Sequence, residues 1–309
     1  METTNRDRQW ITPPSSKLTL GTVQFGLDYG VANQTGRPSY RNCLAIIEKA
    51  YTCGIRYFDT AAAYGTSEEV LGKALRELGI ANEVVVISKS VPLPQDSQEP
   101  RMAKKLIESS LRKSLQNLEL DQIPIYLLHR ESDLPNIESL SDLREKGLIG
   151  RIGVSVDTPE GANRASKEPL IDAVQLPHNL LDRRFEHQSW LSNKAPEDLL
   201  FARSAFLQGL LLMPEESIPH FLQSIIPIRN KVTAIADEIG IDMIELCLRY
   251  CLSCRSIDSV LIGVDTIQHL EQNIEAAKRG PLPEEIIRKI VNVVPDLPEA
   301  VIRPSLWQK

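Results

Sequence analysis

VVVISK at Val84–Lys89, MAKKLIESSLRKSLQNL at residues 102–118 and IPIYLLH at Ile123–His129 are the consecutive pieces on which the fold turns. The first and third are continuous apolar runs rather than alternating ones, the pattern of strands buried on both faces of a parallel sheet. The piece between them is strongly amphipathic and reads as a helix.

Outward from this unit the alternation repeats. Leu18–Thr22 (LTLGT) and Tyr57–Thr60 (YFDT) come before it. Ile149–Val156 (IGRIGVSV), Ala173–Pro177 (AVQLP), Leu199–Phe206 (LLFARSAF) and Ser259–Val264 (SVLIGV) come after it. The pattern predicts further helices over 41–53, 68–78, 136–146, 230–239 and 242–253, most of them stopped by a glycine. The first sets Leu44, Ile47, Ala50 and Tyr51 on one stripe and ends at Gly54. The last two both precede the final strand, so one unit carries an extra helix. Strand–helix alternation carried through eight strands predicts an α/β fold, a single (β/α)8 TIM barrel over residues 18–294. Residues 1–17 read as a polar tail, 92–100 as a proline-rich loop after the third strand, and 295–309 as a tail over the barrel.

Bulk properties narrow the function. The net charge of −6 and the lack of a basic stripe with interleaved aromatics point away from nucleic acid. No apolar run approaches the ~18 residues that cross a bilayer. The polar start METTNRDRQWITPPSS has no apolar core, so no signal peptide is read and a cytoplasmic protein is expected. Of the five cysteines, Cys247, Cys251 and Cys254 fall at helical spacing. They are either a thiol set for a metal or small apolar residues on one helix face; the second reading is adopted and no metal is expected.

A barrel of this kind keeps its active site at the C-terminal ends of its strands. Asp59, Lys89 and His129 end three consecutive strands, and Tyr64 lies on the loop just after Asp59. A buried Lys89 needs a counter-charge, which Asp59 on the neighbouring strand can supply. A phenol titrates near ~10 in water, and a nearby ammonium lowers that value. Tyr64 thereby becomes a general acid for a carbonyl oxygen, with His129 as a second donor to the same oxygen.

The run from Phe58 through Asp59-Thr60-Ala61-Ala62-Ala63-Tyr64-Gly65-Thr66-Ser67 to Glu68 resembles the DTAxxYGxSE motif of the aldo-keto reductases. The resemblance continues through Ile87-Ser88-Lys89, Tyr126-Leu127-Leu128-His129, Ile152-Gly153-Val154-Ser155, Val174-Gln175 with Asn179, and Leu261-Ile262-Gly263 to Asn273. It spans about residues 18–280. It implies NADPH or NADH bound extended across the barrel mouth without a Rossmann domain, so the missing GxGxxG says nothing against nicotinamide. It implies Tyr64 as proton donor, tuned by Lys89 and Asp59, with His129 orienting the carbonyl of a small-molecule aldehyde or ketone. It assigns Gly21, Thr22 and Val23 to the nicotinamide side and Ser155 and Gln175 to the carboxamide. Gly263, Gln272 and Asn273 go to the adenosine end.

This chain departs from the family pattern in three places. Val156 stands where an Asn often follows the Ser of strand five. Arg203-Ser204 replaces a Tyr that often stacks on the nicotinamide; a planar guanidinium can stack on a ring, or Arg203 serves as an ion-pair partner. Asp265, in the loop Gly263-Val264-Asp265-Thr266-Ile267-Gln268-His269, is an anion where a 2′-phosphate would sit, and it suits a ribose hydroxyl better. Thr266, Gln268 and His269 remain donors for a phosphate, so either cofactor is expected, with more use of NADH than in a typical member.

Phe25 and Tyr29 in the first loop and Trp307 in the tail are candidate substrate contacts, with pinning of the tail as the other reading of Trp307. Asp28, Asn33 and Gln34 make that loop polar. It either favours a hydroxylated substrate such as a sugar or ketosugar, or simply makes turns. Two alternatives from other classes are a nucleotide-binding regulatory subunit with little turnover, like the potassium-channel β subunits, and a Schiff-base lyase using Lys89. The company of Asp59, Tyr64 and His129 and the Gly263–Asn273 segment speak against the lyase.

Overall fold

Eight strands run parallel and close on themselves in sequence order. They are β1 Leu18–Gly21, β2 Tyr57–Asp59, β3 Val85–Lys89, β4 Ile123–Leu128, β5 Ile149–Ser155, β6 Ala173–Pro177, β7 Leu199–Arg203 and β8 Ser259–Gly263. The computed structural model describes residues 16–33, 36–94, 99–186, 188 and 194–307. Most of the polar N-terminal tail, Gln34 and the centre of the 92–100 loop lie outside the described residues.

Burial follows the two-residue period of a strand. Tyr57, Ile87, Ile125, Leu127, Ala173 and Phe201 pack together in the barrel interior, where Tyr57 meets the Phe201 ring edge-on at 5.3 Å. Their neighbours Phe58, Val86, Tyr126, Leu128, Val174 and Leu200 point outward against the helices. A second apolar cluster joins the β7–β8 connection to the tail through Leu207, Leu222, Val232, Leu246, Ile290 and Val301.

Most expected strands overshoot by one residue, because the ladder continues one bond past the last strand residue. Thr22 N donates to Asp59 O, Thr60 N to Ile87 O and Val156 N to Gln175 O. The seventh stops three residues earlier than expected, at Arg203. Ser204, Leu207 and Gln208 take left-handed backbone, with φ of 63°, 55° for Gln208 and 46° for Leu207, and an extended strand cannot continue through them.

The expected helices appear at Tyr40–Thr52, Ser67–Leu78, Pro100–Leu118, Glu138–Glu145, Ile226–Glu238 and Met243–Ser253. The stripe of the first is rotated from expectation. Cys43, Ile46, Ile47 and Ala50 are its buried residues, and Leu44 and Tyr51 flank them. Helices at Pro159–Ala165, Ile267–Lys278 and Glu284–Val293 were not anticipated. Cys247 and Cys251 are fully buried in the core, with Cys251 Sγ donating to His178 O at 3.2 Å. No helix among the described residues is long and apolar enough to cross a membrane.

Candidate active site

Asp59, Lys89, Ser155 and Gln175 stand one inward step above the apolar interior layer, at the C-terminal end of the barrel. Lys89 is fully buried. Its ammonium donates to Asp59 Oδ1 at 2.7 Å, Asp59 Oδ2 at 2.8 Å and Thr60 O at 2.8 Å. Burial pulls the Lys89 pKa down, and Asp59 resists that fall. Gln175 Nε2 donates to Asp59 Oδ1 at 2.8 Å, so the side chain expected to hold a carboxamide also braces the ion pair.

The loop carrying Tyr64 is locked by backbone contact. Thr22 Oγ1 donates to Asp59 O at 2.9 Å and pairs with Ser67 Oγ at 2.8 Å; Thr22 is therefore buried bracing rather than a lining residue. A Cβ on Gly26 would lie 1.9 Å from Tyr64 O and 2.4 Å from Ser67 N, so only glycine lets the first loop approach. Glu68 is buried beneath, accepting from Ser88 Oγ at 2.6 Å and Asn117 Nδ2 at 3.2 Å.

Tyr64 meets His129 edge-on, with ring centres 5.6 Å apart and planes at 80°. Lys89 Nζ lies 5.0 Å from the Tyr64 ring centre. The phenol does not titrate low, as its ammonium neighbour had suggested. Burial and Asp59 push its pKa up, and Arg203 opposes them. The Lys89 ammonium that had suggested a lower value is bound to both oxygens of Asp59. His129 is pushed down to about 3 by burial and by Lys89, so its ring is neutral at ordinary pH. Its Nδ1 is buried with no hydrogen-bond partner among the described residues.

Arg203 is an ion-pair partner here. Its guanidinium donates to the Asp157 carboxylate, to Val156 O at 3.1 Å and to Ser204 Oγ at 3.5 Å. Asn179 Nδ2 holds Ser204 O at 3.0 Å. Tyr29 stands at the mouth, its hydroxyl accepting from Gln208 Nε2 at 3.1 Å. Phe25 is a core residue, only 3% exposed, which removes it from the substrate contacts. Its position in the sequence had suggested a loop, but Val23–Gly26 is a helical turn that tucks it inward. Trp307 donates its indole N–H to Val301 O at 3.1 Å and meets Phe221 edge-on, which pins the tail. Asn33 closes a turn, its Oδ1 accepting from Gly36 N at 2.9 Å, as in the turn-making reading of the first loop.

At the end of β8 several polar atoms await partners. Gln24 Oε1, Asp265 Oδ1 and Asn273 Oδ1 are buried with none among the described residues. Gly263 leaves the space Gln24 occupies, since a Cβ there would sit 2.4 Å from Gln24 Nε2. Burial raises the Asp265 pKa, opposed by His269. Thr266 caps the helix Ile267–Lys278 by accepting from His269 N at 3.1 Å, Gln272 is exposed on it, and Asn273 Nδ2 donates to His269 O at 2.7 Å. Buried groups left unsatisfied are costly and are normally paired. This orphan set fits a polar ligand such as the ribose end of a dinucleotide.

Comparison with known proteins matches this barrel over residues 17–295 to the aldo/keto reductase family. The chain belongs to the aldo/keto reductase family. An uncharacterised oxidoreductase of Bacillus subtilis is 27% identical, covering 89% of this chain and 95% of that protein. A probable voltage-gated potassium channel β subunit of Arabidopsis thaliana is 24% identical, covering 92% of this chain and 97% of the relative. An aldo-keto reductase from Bacillus halodurans, solved in its holo form, shares the fold with a TM-score of 0.74 and 22% identity, over 94% of this chain and 95% of that one. This aldo/keto reductase is thus an NAD(P)H-dependent oxidoreductase acting on carbonyl compounds.

Reading polar residues at strand ends missed two of them. Asp157, two residues past Ser155, clamps Arg203. Gln24, in the GTVQFG stretch after β1, packs against Gly263. Both lie just past their strands, as Thr22, Val23 and His129 do.

Proposed function

We propose that this chain reduces an aldehyde or ketone to an alcohol, with NADPH or NADH along the mouth from Gln175 to Asn273 and Tyr64 as proton donor. The observation that carries the reading is the Asp59–Lys89 pair beneath a protonated Tyr64 that faces a neutral His129. The bound nicotinamide would supply the hydride. Ser155 and Gln175 would hold its carboxamide end, with Gly21 and Val23 beside it; Gly263, Asp265 and Asn273 would hold the adenosine end.

The residues divide the remaining work. Tyr64 keeps its proton in the resting protein, so it is ready to give it to an oxygen that gains negative charge. Neutral His129 donates an N–H to that same oxygen without adding a charge that water would need to solvate. Once the proton leaves, the clamped Arg203 cation, which already opposes burial at Tyr64, steadies the phenolate. Tyr29 at the rim, accepting from Gln208, keeps its own hydroxyl proton for a substrate oxygen. That favours a hydroxylated carbonyl such as a sugar or ketosugar. Asp265 favours the ribose hydroxyl of NADH over a 2′-phosphate.

The potassium-channel relative supports a second reading, a nucleotide-binding regulatory subunit with little turnover. One comparison separates the two. Cofactor oxidation is followed with a panel of aldehydes and ketosugars in wild type and Tyr64→Phe. Carbonyl-dependent turnover that falls roughly 10²–10⁴-fold in the variant, with cofactor binding intact, is the expected result. Tight nucleotide binding with no turnover on any carbonyl would replace it with the subunit reading.

A further inference from the structure

Arg203 shares the inward parity of Phe201 and Leu199, yet its side chain does not stay over its own strand. By bonding Val156 O and Asp157 it crosses the end of β6 and reaches the residues that follow β5. It therefore lies along the same rim as Ser155 and Gln175. A guanidinium does not lose its charge in a protein. That charge is felt at Tyr64, at His129 and at Lys89. Its position is over-determined. Asp157 and Val156 O hold the head, and the left-handed Ser204, fixed by Asn179, holds the base.

We infer that this clamped cation makes the site bind the reduced nicotinamide in preference to the oxidised one. The inference rests on the proposed seat of the nicotinamide against Ser155 and Gln175. The reduced ring is neutral and electron-rich, and a guanidinium near its face or edge attracts it. The oxidised ring carries a positive charge, which Arg203 repels. Asp157 sets the size of the effect by screening that charge. An aromatic side chain at this position would instead attract the cationic oxidised ring through its π face. The bound state is therefore biased toward carbonyl reduction and toward release of the oxidised cofactor, while the equilibrium among free reactants is untouched.

Equilibrium binding tests this without turnover. Titration calorimetry gives Kd for NADPH, NADP+, NADH and NAD+ with wild type, Arg203→Met, Arg203→Lys and Asp157→Asn. In wild type the oxidised form should bind at least about tenfold more weakly than the reduced form, the effect of one partly screened unit charge. Arg203→Met should move the ratio toward one, Arg203→Lys should keep most of it, and Asp157→Asn should enlarge it. A ratio that Arg203→Met leaves unchanged, or that moves the same way in the Met and Asn variants, overturns the inference. If Arg203→Met does not fold, Asp157→Asn decides alone: an unchanged or smaller ratio overturns the inference. Wild type that binds no nicotinamide nucleotide overturns the proposed function itself and this inference with it.

Discussion

Replacing Lys89 with Met tests the buried ion pair directly. The ammonium is fully buried and makes three bonds, two of them to Asp59. Removing it leaves a buried carboxylate that keeps one side-chain donor among the described residues, Gln175. Breaking one side of such a pair costs about 3–5 kcal/mol. For a chain of this size that is a fall in Tm of roughly 5–8 °C. The double variant Asp59→Asn with Lys89→Met removes both charges and should recover most of the stability. Thermal melts of wild type, both single variants and the double variant at pH 7 measure both effects. A Lys89→Met melt within roughly 2 °C of wild type at pH 7, or a double variant worse than either single one, would refute the reasoning.

Three other expectations follow from the same geometry. Gly26→Ala forces a methyl into Tyr64 O and Ser67 N, so it should destabilise the fold by about 2 kcal/mol or more and lower kcat/KM, and urea unfolding beside a kinetic assay checks both. Asp265→Ser replaces an anion with a neutral donor and should shift the kcat/KM ratio toward NADPH; a ratio unmoved in the variant removes Asp265 from cofactor choice. His129 is held neutral in the folded protein and titrates near 6.5 unfolded, so wild-type stability should decline as pH falls from 6.5 toward about 3. Melts of His129→Gln across that window should show a shallower decline.

Strand and helix positions were legible because each carries its own periodic signal. The runs buried on both faces needed no knowledge of their partners, and glycines marked most helix ends. The early end of β7 was not legible, since three non-glycine residues take left-handed backbone there and nothing in ARSAFLQG favours it. The chemical site was half legible for a related reason. Asp59, Lys89 and His129 could be placed because each ends or directly follows a strand, and strand order fixes which of them are neighbours. Side-chain direction was harder. Phe25 looked like a mouth residue and is core, because a single helical turn after β1 swings it inward. Most of all, the charge balance depends on which partner an ammonium chooses, and sequence cannot rank partners closer than 3 Å. Lys89 turned to Asp59, so the cation left to oppose burial at Tyr64 is Arg203, held by an Asp157 that strand-end reading passed over. In this barrel the acid is therefore set by two ion pairs on opposite sides of the mouth, and a substitution in either one should alter Tyr64.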